Sequence, residues 1–389
     1  MEHRILPAVE TGSGAFNCRR IVLADREIAG SVHIENGLIV GVEEDRVASN
    51  AVDLGDDILI PGLVELHTDH LEPHYSPRPN VIWDPFTAVF GYDAQIACSG
   101  ITTVFDSLRA GSDADRHTLG GGLLALGEAI ENAKVTGLLR ADHHTHLRCE
   151  ICSEDVLEEA EKFLSRYDVR LMSLMDHTPG ARQFRDESKL REYYRIKGAK
   201  TDAELDLFFS ARKEQYARLH DLHRSTLVRW ARDEGVALAS HDDTTEIHVQ
   251  ESLADGVAIA EFPTTVEAAA ASHAAGLSVL MGAPNVVRGG SHSGNVSAVE
   301  LAEAGVLDIL SSDYVPISLI QGAFALAPIA KVGGLPGAIR TVTKNPALAT
   351  GLDDRGEIAV GKRADFVRVA WVNERPVVRE VYRQGLRVA

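Results

Sequence analysis

Short apolar runs alternate with helical patterns from residue 61 to about residue 350, and this alternation restricts the fold more than any other feature. Thr201 with Glu204 and Thr264 with Glu267 have the spacing of capping boxes, which start helices. The eight predicted strands are residues 63–67, 101–106, 138–146, 169–176, 236–241, 257–262, 277–283 and 306–313. Strands that alternate with helices form parallel sheets, and eight of them favour a closed, TIM-like (β/α)8 barrel in the α/β class. An open, doubly wound sheet is the alternative, but no G-x-G-x-x-G motif opens a first helix.

The two ends of the chain have a different pattern, with polar and apolar residues alternating as in β-strands. Near the start, two such runs are separated by Asn36-Gly37, a hairpin signal. We therefore expect a small β-sandwich domain built from residues 1–60 and 352–389, with the barrel at 61–351. Two unrelated capping segments are the alternative.

Charge and composition narrow the functional classes. The net charge of −18 disfavours nucleic acid and anionic membranes as partners and indicates a small-molecule substrate. No stretch approaches 18 consecutive apolar residues, the start of the chain lacks an apolar signal core, and the four cysteines are typical of reduced thiols. We expect a cytoplasmic enzyme, and a homodimer is expected because barrels with terminal sheet domains often dimerise.

Residues 180–234 are too long for a simple connection between strands. The stretch 201–234 predicts two helices or one long arm, and a run of six cations precedes it. These are Arg182, Arg185, Lys189, Arg191, Arg195 and Lys197. Such a run is either a solvated charged face or part of a long loop that covers the barrel mouth and binds an anionic substrate.

Titratable residues gather where the predicted strands end, which is the catalytic end of a (β/α)8 barrel. The ends carry His67 and Asp69, Asp106, His143 to Glu150, Asp176 and His177, His241 to Asp243, Glu261, and Asp313. His67 and Asp69 are two residues apart, so along a strand both side chains point to one face. One such pair alone is more often a hydrogen-bonded core pair. Titratable groups at seven of eight ends are costly to bury unless they pair with one another or bind a metal.

Ligand chemistry favours a divalent metal, one or two ions of Zn²⁺ or Mn²⁺. Glu150 is the best candidate to bridge two ions, and His67, Asp69 and His241 are expected as terminal ligands. Asp313 is expected to contact the metal and accept a proton from the attacking water. Asp313 and His241 are the predicted catalytic residues.

A glycine-rich stretch after the seventh predicted strand, residues 288–295, suggests an anion site. Glycines let backbone N–H groups converge on an anion, and barrels often bind phosphate on the loops after strands seven and eight. The predicted phosphate-binding residues are Arg288, Gly289, Gly290, Ser291, His292, Ser293, Arg182 and Arg148. A plain surface turn is the alternative.

These motifs resemble the amidohydrolase superfamily and, more narrowly, the phosphonate-metabolism hydrolases of the carbon–phosphorus lyase pathway. The matching stretches include 67–74, 146–150, 173–180, 240–243, 260–265, 281–285, 288–295 and 311–316, which span the barrel in order. The resemblance implies hydrolysis of α-D-ribose 1-methylphosphonate 5-triphosphate to the 5-phosphate and pyrophosphate.

The sequence departs from the wider superfamily in three ways. His-x-Asp replaces His-x-His on the first strand, the fourth strand has no lysine, and Glu261 stands where the sixth-strand histidine is usual. The second metal's ligands are therefore open, and His146, His177 or Glu261 are the candidates to complete them. The competing functions are hydrolysis of an amide or amine bond in a small, phosphorylated substrate, and a catalytically silent scaffold.

Overall fold

The computed structural model describes residues 11–112, 122–182, 187–188, 190–191, 195, 201–291 and 294–389. Its strands are β1 (Gly14–Val22), β2 (Glu27–Glu35), β3 (Leu38–Glu44), β4 (Val52–Asp53), β5 (Ile58–Pro61), β6 (Leu63–Thr68), β7 (Ile101–Ala110), β8 (Asp142–Glu150), β9 (Leu171–Met175), β10 (Ala237–His241), β11 (Ile259–Glu261), β12 (Ser278–Gly282), β13 (Ile309–Ser311), β14 (Phe366–Val372), β15 (Arg375–Arg383) and β16 (Leu386–Arg387).

The α-helices of this part of the chain lie mainly between the strands from β6 to β13. They are α1 (Leu71–Tyr75), α2 (Pro85–Cys98), α3 (Gly122–Thr136), α4 (Val156–Leu164), α5 (Asp202–Glu234), α6 (Glu246–Asp255), α7 (Val266–Ala274), α8 (Ala283–Arg288), α9 (Ala298–Ala304), α10 (Ser318–Leu326), α11 (Gly334–Arg340) and α12 (Lys344–Ala349). Among the described residues, no helix combines the length and apolar character needed to cross a membrane.

Strands β6 to β13 form a parallel sheet in chain order, which confirms the predicted eight-stranded barrel. The ring closes at the carboxyl ends of the strands, where Thr68 and Asp313 form a parallel bridge. An apolar layer fills the interior below that point, with Val64, Phe105 and Leu280 among its buried members. The barrel interior below the closing bridge is therefore a packed apolar core.

Two predicted strands differ from the structure by four residues at one or both ends. The third runs from Asp142 to Glu150 instead of 138–146, so His146 lies within the strand and Glu150 at its end. The second continues to Ala110, so Asp106 is also internal and contacts His143 instead of ending its strand. Cross-strand pairing between these polar residues stabilises strands that apolar patterning alone does not identify.

Helix signals were mostly correct. Thr201 and Glu204 form the predicted capping box, and α5 is a single helix of 33 residues that ends at Gly235 with φ of 68°. The second predicted box was wrong by one residue, because Thr265 caps α7 through the backbone N–H of Ala268.

The chain ends join in one sheet, ordered β16-β15-β14-β5-β1-β2-β3, with β4 beside β1. The expected small sheet domain from both termini is thus confirmed, and its strands are hydrogen-bonded into one sheet with its own apolar cluster. The boundaries at residues 60–61 and 351–352 remain a prediction.

Candidate metal centre

His67 enters the barrel interior because β6 is irregular. Its pairing with β7 shifts in register between Glu65 and Thr68, and shifts of this kind re-aim side chains near active sites. The backbone N–H of His67 donates to the buried carboxyl group of Glu65 at 2.6 Å. Burial raises the pKa of Glu65 to about 7, although hydrogen bonds from Ser312 and His67 oppose the rise. The imidazole of His67 is 3% exposed and faces β11.

Glu261, at the end of β11, holds two histidines from different strands. Its Oε1 lies 3.1 Å from Nδ1 of His67, and its Oε2 lies 3.2 Å from Nδ1 of His241. The hydroxyl of Ser173 donates to Oε2 at 2.7 Å. Burial opposes the charge, but the surrounding imidazoles outweigh it and hold the pKa of Glu261 well below its usual range. Glu261 is therefore an ionised acceptor of three hydrogen bonds.

A second group lies beside the first and consists of His177, His241 and Asp242, whose potential ligand atoms are within 4.8 Å of one another. Nδ1 of His177 donates to Glu150, with its Oε2 at 2.8 Å. Burial opposes the charge of Glu150, but His177, Arg109 and Arg148 outweigh it and lower the pKa of that carboxyl group.

Asp242 shows that this group suits a cation. Its Oδ2 is buried, has no hydrogen-bond partner among the described residues and lies 3.5 Å from Nε2 of His241. Burial raises the pKa of Asp242, as expected for a carboxylate that needs positive charge. Because their Nδ1 atoms already donate to Glu150 and Glu261, His177 and His241 have Nε2 as the remaining ligand atom. Two imidazole nitrogens and carboxylate oxygens are a suitable donor set for Zn²⁺ or Mn²⁺.

Asp69 and Asp313 complete the upper rim of the site. Arg148 is buried and places Nη1 3.5 Å from Oδ2 of Asp69. Burial and the nearby charge of Asp69 raise the pKa of Asp313 to about 6. Two neighbouring carboxylates beside a histidine cluster favour a bound cation or a shared proton.

His146 is less suited to the ligand role that the sequence suggested. His146, His67 and Glu261 do converge. However, the hydroxyl of Ser107 can donate to Nδ1 of His146 at 3.2 Å, and Nε2 of His146 contacts the hydroxyl of Ser173. Both ring nitrogens are therefore engaged within the protein, and we interpret the cluster as a hydrogen-bonded network beneath the metal centre.

The predicted phosphate-binding residues are only partly brought together. Arg288 ends α8 at an exposed position, and its Nη1 lies 3.3 Å from the hydroxyl of Tyr314, the residue after Asp313. Gly289 ends the helix with φ of 81°, and Gly290 and Ser291, which follow it, are partly buried. His292 and Ser293 lie outside the described residues.

Arg182 occupies a different environment from Arg288. It is buried and pairs with Asp243 and, at 3.8 Å, with Asp176. Of the other cations in its run, Arg191 pairs with Asp206 and Arg195 with Asp202, whereas 185, 189 and 197 lie outside the described residues. The described cations of this run thus form ion pairs within the protein, which is typical of a solvated or structural face.

Three strand ends share an uncommon backbone conformation. Asp242, Phe262 and Asp313 have φ values of 58°, 53° and 53°. Positive φ is rare in residues other than glycine and concentrates at functional sites. The ring of Phe262 packs edge-on against His67 and His241, with centroids 4.9 and 5.3 Å apart. The turns after β10, β11 and β13 therefore aim side chains at one volume.

Sequence reasoning missed the roles of Asp242 and Ser173 and left Glu261 undecided. Asp242 could have been found from its place beside His241 at a strand end. The contact of Glu261 with His67 spans 194 residues and depends on the barrel closing, so no local signal indicates it.

Comparisons with known proteins agree with this architecture. A family model described as "Amidohydrolase family" matches residues 214–380. Among solved structures, N-acetyl-D-glucosamine-6-phosphate deacetylase from Mycobacterium smegmatis aligns with a TM-score of 0.64 at 14% identity, covering 97% of this chain and 100% of that one. N-isopropylammelide isopropylaminohydrolase from Burkholderia multivorans aligns with a TM-score of 0.58 at 18% identity, covering 96% and 98%. At these identities the likeness shows the fold.

A curated relative is much more similar in sequence. The α-D-ribose 1-methylphosphonate 5-triphosphate diphosphatase of Escherichia coli is 45% identical over 375 residues, which cover 96% of this chain and 99% of the relative. Identity at this level over nearly the whole of both chains establishes common family membership, and this chain belongs to the α-D-ribose 1-methylphosphonate 5-triphosphate diphosphatase family of the amidohydrolase superfamily.

Proposed function

We propose that the protein hydrolyses α-D-ribose 1-methylphosphonate 5-triphosphate to the 5-phosphate and pyrophosphate, in phosphonate catabolism. The observation that carries this proposal is the 45% identity to the diphosphatase over 96% of the chain. The histidine–carboxylate cluster at the carboxyl ends of the barrel strands supports it, because a metal-dependent hydrolase of this fold requires such a cluster there.

The reaction breaks one phosphoanhydride bond. Water attacks the α-phosphorus, the bond from that phosphorus to the bridging oxygen breaks, and pyrophosphate leaves. Asp313 is the proposed acceptor of the proton that the water loses, because burial and Asp69 raise its pKa towards the working pH.

One or two divalent ions, Zn²⁺ or Mn²⁺, are proposed as the cofactor. His177, His241 and Asp242 would hold one ion, Glu150 would orient His177 by accepting from its Nδ1, and His67, Asp69 and Asp313 would contribute at the adjoining rim. A bound ion supplies Lewis-acid charge that acidifies water and offsets charge developing on the phosphates. Glu261 accepts hydrogen bonds from Nδ1 of His67 and of His241, which leaves Nε2 of each ring to face the ion.

The triphosphate needs positive charge in a chain of net charge −18. Arg288 is the proposed phosphate ligand, since its guanidinium is exposed beside the hydroxyl of Tyr314, the residue that follows Asp313 in the sequence. Arg148 lies deeper, against Asp69, where it would contact the phosphate nearest the reacting bond. Arg182 is given a supporting role, because Asp243 and Asp176 already pair with it. A homodimer and a cytoplasmic location are retained as predictions.

The direct experiment is release of pyrophosphate from the ribose methylphosphonate triphosphate by the purified protein. It is measured with Mn²⁺ or Zn²⁺ added and again with a chelator. Rapid release that the chelator abolishes is the expected result. No release from protein with measured bound metal would contradict the proposal, and phosphorylated sugar amides would then be assayed as substrates of the competing amidohydrolase function.

A further inference from the structure

The sixth barrel strand, β11, ends in a buried carboxylate, Glu261. Glu261 is fully buried, and its carboxylate lies within hydrogen-bond distance of His67, His241 and Ser173. If Glu261 is a metal ligand, it replaces the usual histidine directly. If it is a hydrogen-bond acceptor, the ligand set lacks a sixth-strand member.

The contacts decide between these roles. Each oxygen of Glu261 is within hydrogen-bond distance of one imidazole Nδ1, at 3.1 Å for His67 and 3.2 Å for His241. Ser173 donates to the same Oε2 at 2.7 Å. A carboxylate surrounded by three donors accepts hydrogen bonds, so both Nδ1 atoms carry their proton. A ring that carries its proton on Nδ1 has its lone pair on Nε2 and presents that atom to a metal.

Packing fixes the orientation of the His67 and His241 rings, in addition to the position of their protons. The imidazoles of His67 and His241 are stacked at 22°, with centroids 5.6 Å apart. The next residue, Phe262, packs edge-on against both rings, and its backbone has a φ of 53°. The backbone N–H of Asp242 also donates to the carbonyl oxygen of Glu261 at 2.9 Å. Glu261, which ends β11, and Phe262, which follows it, thus both contact the two histidines.

We infer that Glu261 is a positioning residue that holds His67 and His241 as Nδ1–H tautomers with Nε2 directed at the metal, and that it is not itself a ligand. The inference rests on the proposed function for the assignment of His67 and His241 as ligands. Groups that orient histidine ligands in this way typically change metal affinity by about 10- to 100-fold when they are replaced.

The first test requires neither metal nor substrate. Metal-free protein labelled with ¹⁵N-histidine is examined by long-range ¹H–¹⁵N NMR, which reports which ring nitrogen carries the proton. The chain has 16 histidines, so the signals are assigned with His67→Gln and His241→Gln. Both residues are expected as Nδ1–H tautomers. An Nε2–H tautomer at either residue would overturn the inference whatever reaction the enzyme catalyses.

The second test uses Glu261→Gln, which preserves shape but can accept from only one Nδ1–H. The opposite end of the amide donates, so one imidazole must change tautomer. We expect the same number of bound ions as in the wild type, measured by elemental analysis, with affinity reduced about 10- to 100-fold in a chelator competition. The visible absorption spectrum of the Co²⁺-substituted variant should indicate the same metal coordination number as that of the wild type. Loss of one whole ion would identify Glu261 as a ligand, and unchanged affinity would remove its positioning role.

Asp365→Asn is the matched control for a buried carboxylate. Asp365 lies in the terminal sheet region, where its Oδ1 accepts from the backbone N–H of Gln384 at 2.7 Å. This variant should lower the melting temperature without changing histidine tautomers or metal affinity. A reduction of affinity equal to that in Glu261→Gln would show that the effect comes from general destabilisation, and would also overturn the inference.

Discussion

The backbone N–H of Asp313 donates to the carbonyl oxygen of His67 at 3.1 Å, so the last barrel strand joins the first one at the site itself. Barrel closure and assembly of the candidate metal centre are therefore one structural event. A change that opens the β6–β13 contact would displace His67 and Asp313 together.

Asp313→Asn should abolish turnover and leave the protein folded. The amide has the shape of the carboxylate but cannot accept the proton from the attacking water, and loss of general base catalysis typically costs about 10²- to 10⁴-fold in rate. Pyrophosphate release measures the rate, and the far-UV circular dichroism and melting temperature check the fold. Full activity in this variant would exclude the proton-acceptor role.

Arg288→Ala should raise KM for the triphosphate at least about tenfold, which corresponds to about 1.4 kcal/mol of lost substrate binding. The physical reason is loss of a charge-assisted contact with phosphate from an exposed guanidinium. The melting temperature should change little. Arg26→Ala, which removes an exposed arginine from the terminal sheet, serves as the control, and an equal KM in the two variants would exclude the 288–295 loop from substrate binding.

Removal of metal should both inactivate and destabilise the protein. A ligand that binds only the folded state adds stability that rises with its concentration, by about 2.7 kcal/mol at 100 times Kd. Dialysis against a chelator should therefore lower the melting temperature, and Mn²⁺ or Zn²⁺ should restore both activity and melting temperature. Activity that survives in protein shown to be metal-free would contradict the proposed cofactor.

Stability should decrease in alkaline solution because of His143. This imidazole is buried between Asp106, at 2.9 Å from Nδ1, and Asp93, at 3.2 Å from Nε2. Burial opposes its charge, but the two carboxylates outweigh burial and raise the pKa of His143 to about 9. A raised pKa contributes stability that is complete below the unfolded value of about 6.5 and is lost as the pH rises through about 9.

The melting temperature between pH 7 and pH 10 measures this contribution. His143→Gln should be less stable at pH 7 by about 3–5 kcal/mol, the usual cost of breaking a buried ion pair, and should lack the alkaline decrease attributed to this group. His33→Gln in the terminal sheet is the control and should keep the wild-type profile. An alkaline decrease of the same size in His143→Gln would refute the assignment.

The sequence predicted the barrel well because apolar runs and helix caps are local signals. All eight strands were found, yet the third was placed four residues too early at its start, since the apolar Leu138 and Leu139 precede the polar Asp142 and His143 with which the strand begins. Those residues are stabilised by Arg355, at 2.6 Å from Asp142, and by Asp106. Pairs separated by tens or hundreds of residues cannot be recognised from composition.

The same limit applies to the site. His67, Glu150, His241 and Asp313 were identified because they end strands, and the structure gathers them at one end of the barrel. The distinction between a metal ligand and a residue that orients one depends on which ring nitrogen faces which oxygen. His146 and Glu261 illustrate this, since their contacts arise only from the packing of distant strands.

The positive φ values of Asp242, Phe262 and Asp313 limit how far the thermal stability of this barrel can be increased without loss of activity. Each such residue costs roughly 1–3 kcal/mol of folding free energy. The cost is highest for Phe262 because its side chain is bulky. Glycine at these positions would relieve the backbone but would remove a carboxylate or the ring that holds two imidazoles. Selection for thermal stability alone should therefore favour glycine at these turns and yield more stable proteins that lack catalytic activity.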